Sequence, residues 1–485
     1  MQTVAVILSV LTIFGLVLQM LWDHLRHKVD LLSTRNVFYL GLINFQFFPI
    51  AVSLGVDTYM RKLTPSNPAA AGMTFIALSW LFLIIFNIGY KRGWIAEAVA
   101  RRVHSKFPVP SPNVLLMLGF VFLAFGAFNR FIVMTTPLIN TLGAIFSIGF
   151  LCTAAGCAMW AWLPRMWNPV YAIPAIFLTL SSMLVAMHLS FGRRDLLSVV
   201  LACVWAAYWG YLRERGNFAI FSRLGGIGAV GVILLALLSA TRGEGGQIRG
   251  ITQILSDIRS AQVSSGIQHM ATVQDSGPIT LYLIDTRPDD IPYDTLHTLK
   301  YFITQPIPRA IWPEKPMALG MEIVTQAGVR GLARGFSYGP GIIGHIANDN
   351  PYLALPIYAL FFAVALSFLD RLCRYQLFNP FVMIPVGAGL GELMAIPRGE
   401  VGLFVFRCVF MFLTAWLGMW AVAKALMAMG IQLQSAGADE QWTEAEEEYS
   451  EQPGEETTQP AEPEGFPSLA GYHPRAAHDG AGGSA

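Results

Sequence analysis

Apolar stretches of about twenty residues recur along this chain, and that recurrence constrains its fold more than any other feature. A helical run of ~20 apolar residues covers the ~30 Å hydrocarbon core of a bilayer. Such runs lie at about Val4–Leu21, Val37–Val56, Ala70–Tyr90, Asn113–Phe128, Leu138–Leu163, Val170–Leu189, Leu196–Leu212 and Leu224–Ala240. Three more follow at about Tyr352–Leu369, Phe378–Ile396 and Gly402–Leu426. Inside lipid the backbone has to satisfy its own polar groups, so these runs are read as helices. Composition agrees: 54% of residues are hydrophobic and 13% charged, against a charged share of ~25% in soluble domains. An all-α polytopic membrane protein with about eleven transmembrane helices is expected.

The pattern breaks once at length, between Thr241 and Asn350. That segment is too polar and too long to sit inside a bilayer. The chain thus divides into residues 1–240 with eight spans, an extramembrane loop at 241–350, three spans in 351–430 and a tail at 431–485. Glu440 to Glu464 is crowded with Glu, Gln, Pro and Thr. It cannot bury enough surface to offset ordering entropy, so a disordered acidic tail is expected. The formal net charge of +1 says nothing about partners because the charges are segregated along the chain, and nothing points to nucleic acid. Cys152, Cys157, Cys203 and Cys408 fall within apolar runs and Cys373 at the edge of one. Their spacing is not that of zinc ligands, and neither a metal nor a cofactor is expected. No Lys or Arg precedes the first apolar run, so it is not read as a cleaved signal peptide.

Short loops orient the chain. Arg26, Lys28 and Arg35 follow the first run, Lys91, Arg92, Arg101, Arg102 and Lys106 the third, and Arg213, Arg215 and Arg223 the seventh. The alternate loops hold only Arg61, Lys62, Arg130, Arg193, Arg194 and Arg398. Positive charge is retained on the cytoplasmic side, which places the N-terminus and the long loop outside and the C-terminus in the cytoplasm.

Arginines on the outer face are topologically disfavoured and ask for a reason. Arg193 and Arg194 sit in Ser190-Phe-Gly-Arg-Arg-Asp195, Arg398 in Ile396-Pro-Arg-Gly-Glu400, and Arg407 about two turns further along. Interfacial or intramembrane charges tend to mark sites, and guanidinium forks match phosphate oxygens. Snorkelling, or pairing with Asp195 and Glu400, is the alternative reading. In the long loop, Gln247–Ile258 and Tyr293–Ile303 carry amphipathic helical stripes, suited to lying on a membrane surface. Pro306, Pro308, Pro313 and Pro316 then stiffen a segment bearing Arg309, Trp312 and Lys315. Two cations and an aromatic on such a segment suit a phosphorylated, glycosylated lipid; an ordinary interfacial anchor is the alternative. Gly387 and Gly391 form a small-xxx-small pair, read as close helix packing.

The run Ile307-Pro-Arg-Ala-Ile-Trp-Pro-Glu-Lys-Pro316 resembles the PR-x-x-W-P-x-K-P signature of bacterial Wzy-type oligosaccharide repeat-unit polymerases, which build O-antigen and exopolysaccharide. Gly339-Pro-Gly-Ile-Ile-Gly-His-Ile-Ala-Asn-Asp-Asn350, Phe191-Gly-Arg-Arg194 and Pro397-Arg-Gly-Glu400 resemble that family's Gly-rich helix entry and its two outer-face arginine turns. His345 stands in the Gly-rich turn where an acidic residue is expected. The resemblance implies a GT-C-like membrane glycosyltransferase of the bacterial inner membrane, needing no metal. Donor and acceptor would be glycans on undecaprenyl pyrophosphate, and a chain-length regulator or another polysaccharide-assembly membrane protein would be a partner. Arg193 and Arg309 are then expected at the reacting centre, with Arg194, Trp312, Lys315, Arg398 and Arg407 binding substrate and pyrophosphate. His345 is the first candidate for the base that deprotonates the acceptor hydroxyl, ahead of Glu322 and Asp349.

A glycan ligase acting on lipid-linked polymer would share these features. A lipid-linked oligosaccharide flippase would call for midplane charge and pseudo-symmetric halves, and the first five runs carry almost no central charge. A scaffold working through the acidic tail is a further class.

Overall fold

The computed structural model describes residues 1–59, 63–103, 110–136, 139–188, 194–307, less 241–275, together with 309, 311–328, 337–377 and 379–431. Arg193, the stripe at 247–258 and the acidic tail lie outside the described residues. Within them the chain is helical and contains no strand. The helices are α1 (Gln2–Leu25), α2 (Thr34–Leu42), α3 (Phe48–Val56), α4 (Pro68–Arg92), α5 (Trp94–Arg102), α6 (Pro112–Phe131), α7 (Asn140–Trp162), α8 (Pro169–Met187), α9 (Arg194–Ala207) and α10 (Asn217–Ala240). After the undescribed stretch come α11 (Ser276–Thr286), α12 (His297–Thr304), α13 (Leu319–Gln326), α14 (Gly341–Asn348), α15 (Pro351–Tyr375), α16 (Pro380–Ala395) and α17 (Val401–Ala428).

Among the described residues nine helical segments are long and apolar enough to cross a membrane, α2 and α3 forming one of them through a π turn at Ile43–Phe47. The chain is a polytopic α-helical membrane protein. The apolar helix α16 has 16 residues, short of the ~20 that a perpendicular span needs. Local sequence sets many of the starts. Five helices open with a polar cap followed by proline: Asn67-Pro68, Ser111-Pro112, Asn168-Pro169, Asn350-Pro351 and Asn379-Pro380. The cap side chain accepts one orphan backbone N–H, and proline at the first position has no N–H to satisfy.

Side-chain contacts sort the connections onto two ends. At one end Asp30 meets Arg213, Arg374 donates to the Lys28 carbonyl, and Arg371 pairs with Glu97. At the other, Gln2 donates to the Leu54 carbonyl, Asp285 accepts from Ser66 and Asn67, and the α6, α8 and α9 termini meet through Arg130. The long loop belongs to this second, loop-side end.

The loop is built into the bundle more deeply than a surface cap. Helix α14 is buried along its whole length. Gly341 adopts φ +65°, with the Pro397 carbonyl and the Gln46 amide occupying the place of a Cβ. Gln46 donates to the Pro397 carbonyl at 2.7 Å and the Pro340 carbonyl at 3.2 Å, and Thr280 donates to the latter at 2.6 Å. The stripe expected at Tyr293–Ile303 forms a shorter helix, α12, after Leu296 in the left-handed region. Its buried residues are His297, Thr298 and Tyr301, while Leu299 and Ile303 are exposed. The polar face is turned inward because buried acceptors await it: Asp349 takes the Thr298 N–H at 2.7 Å and the Met317 carbonyl lies 2.9 Å from His297 Nε2. The apolar stripe is divided: Leu299 and Ile303 point outward, whereas Leu296 and Phe302 pack against the core.

Candidate functional site

A cluster of five charges sits at the loop-side end between α6, α9, α16 and α17. Its assembly begins with a close helix approach. A Cβ on Gly391 would lie 2.0 Å from the Ser198 hydroxyl, so only glycine lets α16 come this near to α9. Gly387 makes the same approach to Trp205, whose indole donates to the Met383 carbonyl at 2.8 Å. The next residue on α16, Glu392, is then within reach of the first residue of α9, Arg194. Two turns into α17, Arg407 reaches the same carboxylate. Glu392 Oε1 lies 2.8 Å from Arg407 Nε and 3.3 Å from Arg194 Nε. Asp195 accepts from Arg130 at 3.1 Å and lies 3.5 Å from Arg407. Arg130 also donates to the carbonyls of Ala186 and His188, tying down the end of α8.

Three guanidiniums face two carboxylates, which leaves one unit of positive charge in an apolar surround. At ~5 Å two like charges repel by about 3 kcal/mol even at an effective dielectric of about 20, so the carboxylates are needed for the arginines to share the space. The neutralisation is uneven. Arg130 is 1% exposed and bonded through Nε and Nη2, whereas Arg194 is 27% exposed. The Arg194 Nε lies within ion-pair distance of Glu392 but off hydrogen-bond geometry, and both it and Glu392 Oε2 are buried without a hydrogen-bond partner. The Arg194 guanidinium stacks over Phe404, 4.7 Å from the ring centre. Cations at the mouth of such a cluster can take an anion whose oxygens replace the missing acceptors.

Phe404 connects this cluster to the other expected residues. Its ring fills the place of a side chain on Gly399, next to Arg398, whose guanidinium lies over Phe45 at 5.6 Å. One half-turn back, Gly402 packs against Tyr301 of α12, and the Lys315 ammonium lies 6.0 Å from the Tyr301 ring. The signature segment therefore stands at the edge of the same end. Its cations, however, are used internally. Arg309 donates to the carbonyls of Pro313, Lys315 and Pro316 at 3.2, 2.9 and 2.9 Å. Lys315 is buried and donates to the carbonyls of Gln305 and Ile307 at 3.0 and 3.2 Å. Prolines cannot donate, and they interrupt regular pairing. Carbonyls left over in a proline-rich turn are thus gathered by two long cations. Burial, with Arg309 beside it, pulls the Lys315 pKa down. Trp312 and Ile311 of the same turn are exposed.

His345 has a structural post. Its ring is fully buried. Nε2 faces the Val401 N–H at 3.3 Å and so accepts, which leaves Nδ1 to donate to Thr298 Oγ1 at 2.6 Å. Burial, with the charge of His297 behind it, lowers its pKa to about 3. The adjacent Glu400 Oε1 lies 3.6 Å from Nε2. Burial pushes the Glu400 carboxyl up to about 7 against the pull of the Gly320 and Leu319 N–H groups. The contact is therefore between two largely neutral groups at acidic pH and is not an ion pair. With both nitrogens engaged and no exposed edge, His345 offers no lone pair to a substrate hydroxyl. Asp349 is likewise closed: it accepts from the Thr298 N–H, the Tyr358 hydroxyl at 2.6 Å and the Asn348 amide at 3.0 Å. Glu322 stays near His297 and Arg287, its pKa raised by burial.

Of the expected site residues, the structure brings Arg194 and Arg407 together, turns Arg398 onto Phe45 with its neighbour Gly399 against Phe404, and holds Arg309, Trp312 and Lys315 in a turn of their own. Arg130, Asp195 and Glu392 belong to the cluster without having been expected as site residues. Glu392 had a visible signal, a lone carboxylate inside an otherwise apolar run. Among the described residues no three His, Cys, Asp or Glu side chains are grouped as metal ligands. No family model, no curated protein and no solved structure matches the chain.

Proposed function

We propose that the protein is a membrane glycosyltransferase that polymerises oligosaccharide repeat units carried on undecaprenyl pyrophosphate, at the outer face of a bacterial inner membrane. One observation carries the reading: the loop-side cluster holds an excess positive charge, with Arg194 partly exposed and incompletely hydrogen-bonded. In the reaction a hydroxyl of one glycan attacks the anomeric carbon of another, the new C–O bond forms, the bond to the lipid pyrophosphate breaks, and the hydroxyl proton leaves with the pyrophosphate or to water. Negative charge develops on the departing pyrophosphate. Preorganised guanidinium donors in a water-poor site stabilise such charge most effectively. Arg194 and Arg407 take that role, Arg398 flanks it, and the exposed Trp312 and Ile311 seat the signature turn at the lipid boundary, where aromatic side chains are favoured. The described residues are thereby assigned to the leaving group, with His345 holding the loop to α17.

Purified protein in lipid nanodiscs, given lipid-linked repeat units, is expected to produce a ladder of longer glycans. Arg194→Ala is expected to lower the rate at least ~100-fold while the protein stays folded by size exclusion. A wild-type ladder that persists in the variant would sink the reading. Transfer to a different acceptor without a ladder would point to a ligase, and translocation without transfer to a flippase.

A further inference from the structure

Glu392 is fully buried in the apolar body of α16, yet it satisfies only half of its hydrogen-bonding capacity. Oε1 is shared between Arg407 at 2.8 Å and Arg194 at 3.3 Å, and Oε2 has no partner. The two contacts differ in kind. Arg407 Nε makes a hydrogen bond to Oε1. Arg194 Nε is close but misaligned, and the Arg194 side chain is the more exposed of the two. A carboxylate in this position neutralises two guanidiniums while holding only one of them firmly.

We infer that Glu392 is a resident counter-ion that a phosphate group of the ligand displaces: Arg194 leaves Glu392 for the ligand while Arg407 stays. Glu392 is thus a positioning residue, and the inference rests on the reading of this cluster as a phosphate site. Its chemistry is an exchange of ion pairs with no covalent step. Before binding, Glu392 keeps Arg194 and Arg407 from repelling each other. During binding it competes with the incoming phosphate for Arg194. After glycan transfer the same competition helps expel the phosphate-bearing product. A buried carboxylate that served only packing would have both oxygens bonded, because an unsatisfied one costs stability.

The test is the affinity of the full-length protein in detergent for inorganic pyrophosphate, measured by titration calorimetry, together with turnover on lipid-linked repeat units. Glu392→Gln keeps the shape and removes the competing charge. It is expected to bind pyrophosphate about tenfold more tightly while kcat falls, so that KM and kcat drop together. Glu392→Asp draws the carboxylate back by one methylene and is expected to fall between wild type and the Gln variant; it carries the test if Glu392→Gln does not fold. Equal or weaker affinity in the folded variants, with wild-type binding intact, overturns the counter-ion role and leaves the phosphate site standing. Pyrophosphate binding that is undetectable in wild type, or unaffected by Arg194→Ala, overturns the phosphate site and the counter-ion role with it.

Discussion

Two arginines, Arg35 at one end of the bundle and Arg194 at the other, are held in opposite ways. At the end away from the loop, Arg35 is 1% exposed and every nitrogen of its guanidinium is bonded: Nη1 to Asp23 at 2.8 Å, Nε and Nη2 to Asn36. Asp370 caps α2 there, accepting the N–H groups of Thr34 and Arg35 at 2.6 and 3.2 Å and the Tyr90 hydroxyl at 2.7 Å. At the loop-side end, Arg194 and Glu392 each retain an unpaired atom and the charges do not cancel. A saturated network fixes a fold. On the proposed reading, a network that leaves a donor and an acceptor unpaired, with an edge exposed, is where a ligand's oxygens would bind, and the missing pairing is the cost of that readiness.

Stability measurements on paired variants would break the comparison most directly. Asp370→Ala leaves three buried donors without acceptors and is expected to cost about 3–5 kcal/mol, seen as a large fall in Tm or loss of monodisperse protein. Arg194→Ala removes a half-satisfied, partly exposed group and is expected to cost less than about 1 kcal/mol. Similar losses from both would erase the distinction between a closed end and an open one.

A pH series sharpens the loop side. The Glu400 pKa is raised from the ordinary 4.5 to about 7, so the folded protein holds a proton that the unfolded chain releases. Stability from this group is fully present below 4.5 and declines as pH rises towards 7, by at most about 3 kcal/mol. His345, with its pKa lowered to about 3, stays neutral through this window. His297, whose pKa is lowered by burial but raised on balance by Glu322, Asp294 and Asp349, is the other titrating neighbour. The thermal midpoint is expected to fall between pH 5 and pH 7 as burial is set against the new charge, even though the ionised carboxylate keeps the Gly320 N–H, and Glu400→Gln is expected to flatten that dependence. A wild-type midpoint no more pH-dependent than that of Glu400→Gln would remove Glu400 as the titrating group. A smaller effect than at Glu400 is expected at the signature turn. Arg309→Lys cannot reach three carbonyls with a planar fork and is expected to loosen the turn by about 1–2 kcal/mol, read as faster limited proteolysis within the long loop. Unchanged cleavage would return Arg309 to a purely ligand-facing role.

Much of the fold was legible in the residues themselves. Apolar runs of membrane-spanning length and the Asn-Pro and Ser-Pro starts act locally, through burial and capping, and the helices begin where they dictate. The pair Gly387 and Gly391 announced a close approach, and Trp205 and Ser198 fill it. The site was legible only in part. The arginines of the loop-side end were conspicuous because charge is expensive near lipid, but their partners were not. Asp195, the neighbour in sequence, pairs with Arg130 and Arg407, and Arg194 turns to Glu392, nearly two hundred residues away. Arg309 and Lys315 carried charge that looked available to a ligand, yet the turn's own carbonyls take it.

Amino-acid sequence by itself determined a polytopic helical membrane protein, the break at the long loop, and the set of cations that stand near one end. Tertiary structure decided which of them act together. Hydropathy and capping depend on neighbours along the chain, whereas a guanidinium's state depends on which carboxylate the helix packing brings within about 3 Å. Gly391 set that packing, and it gave Glu392 two arginines but hydrogen-bond geometry to one.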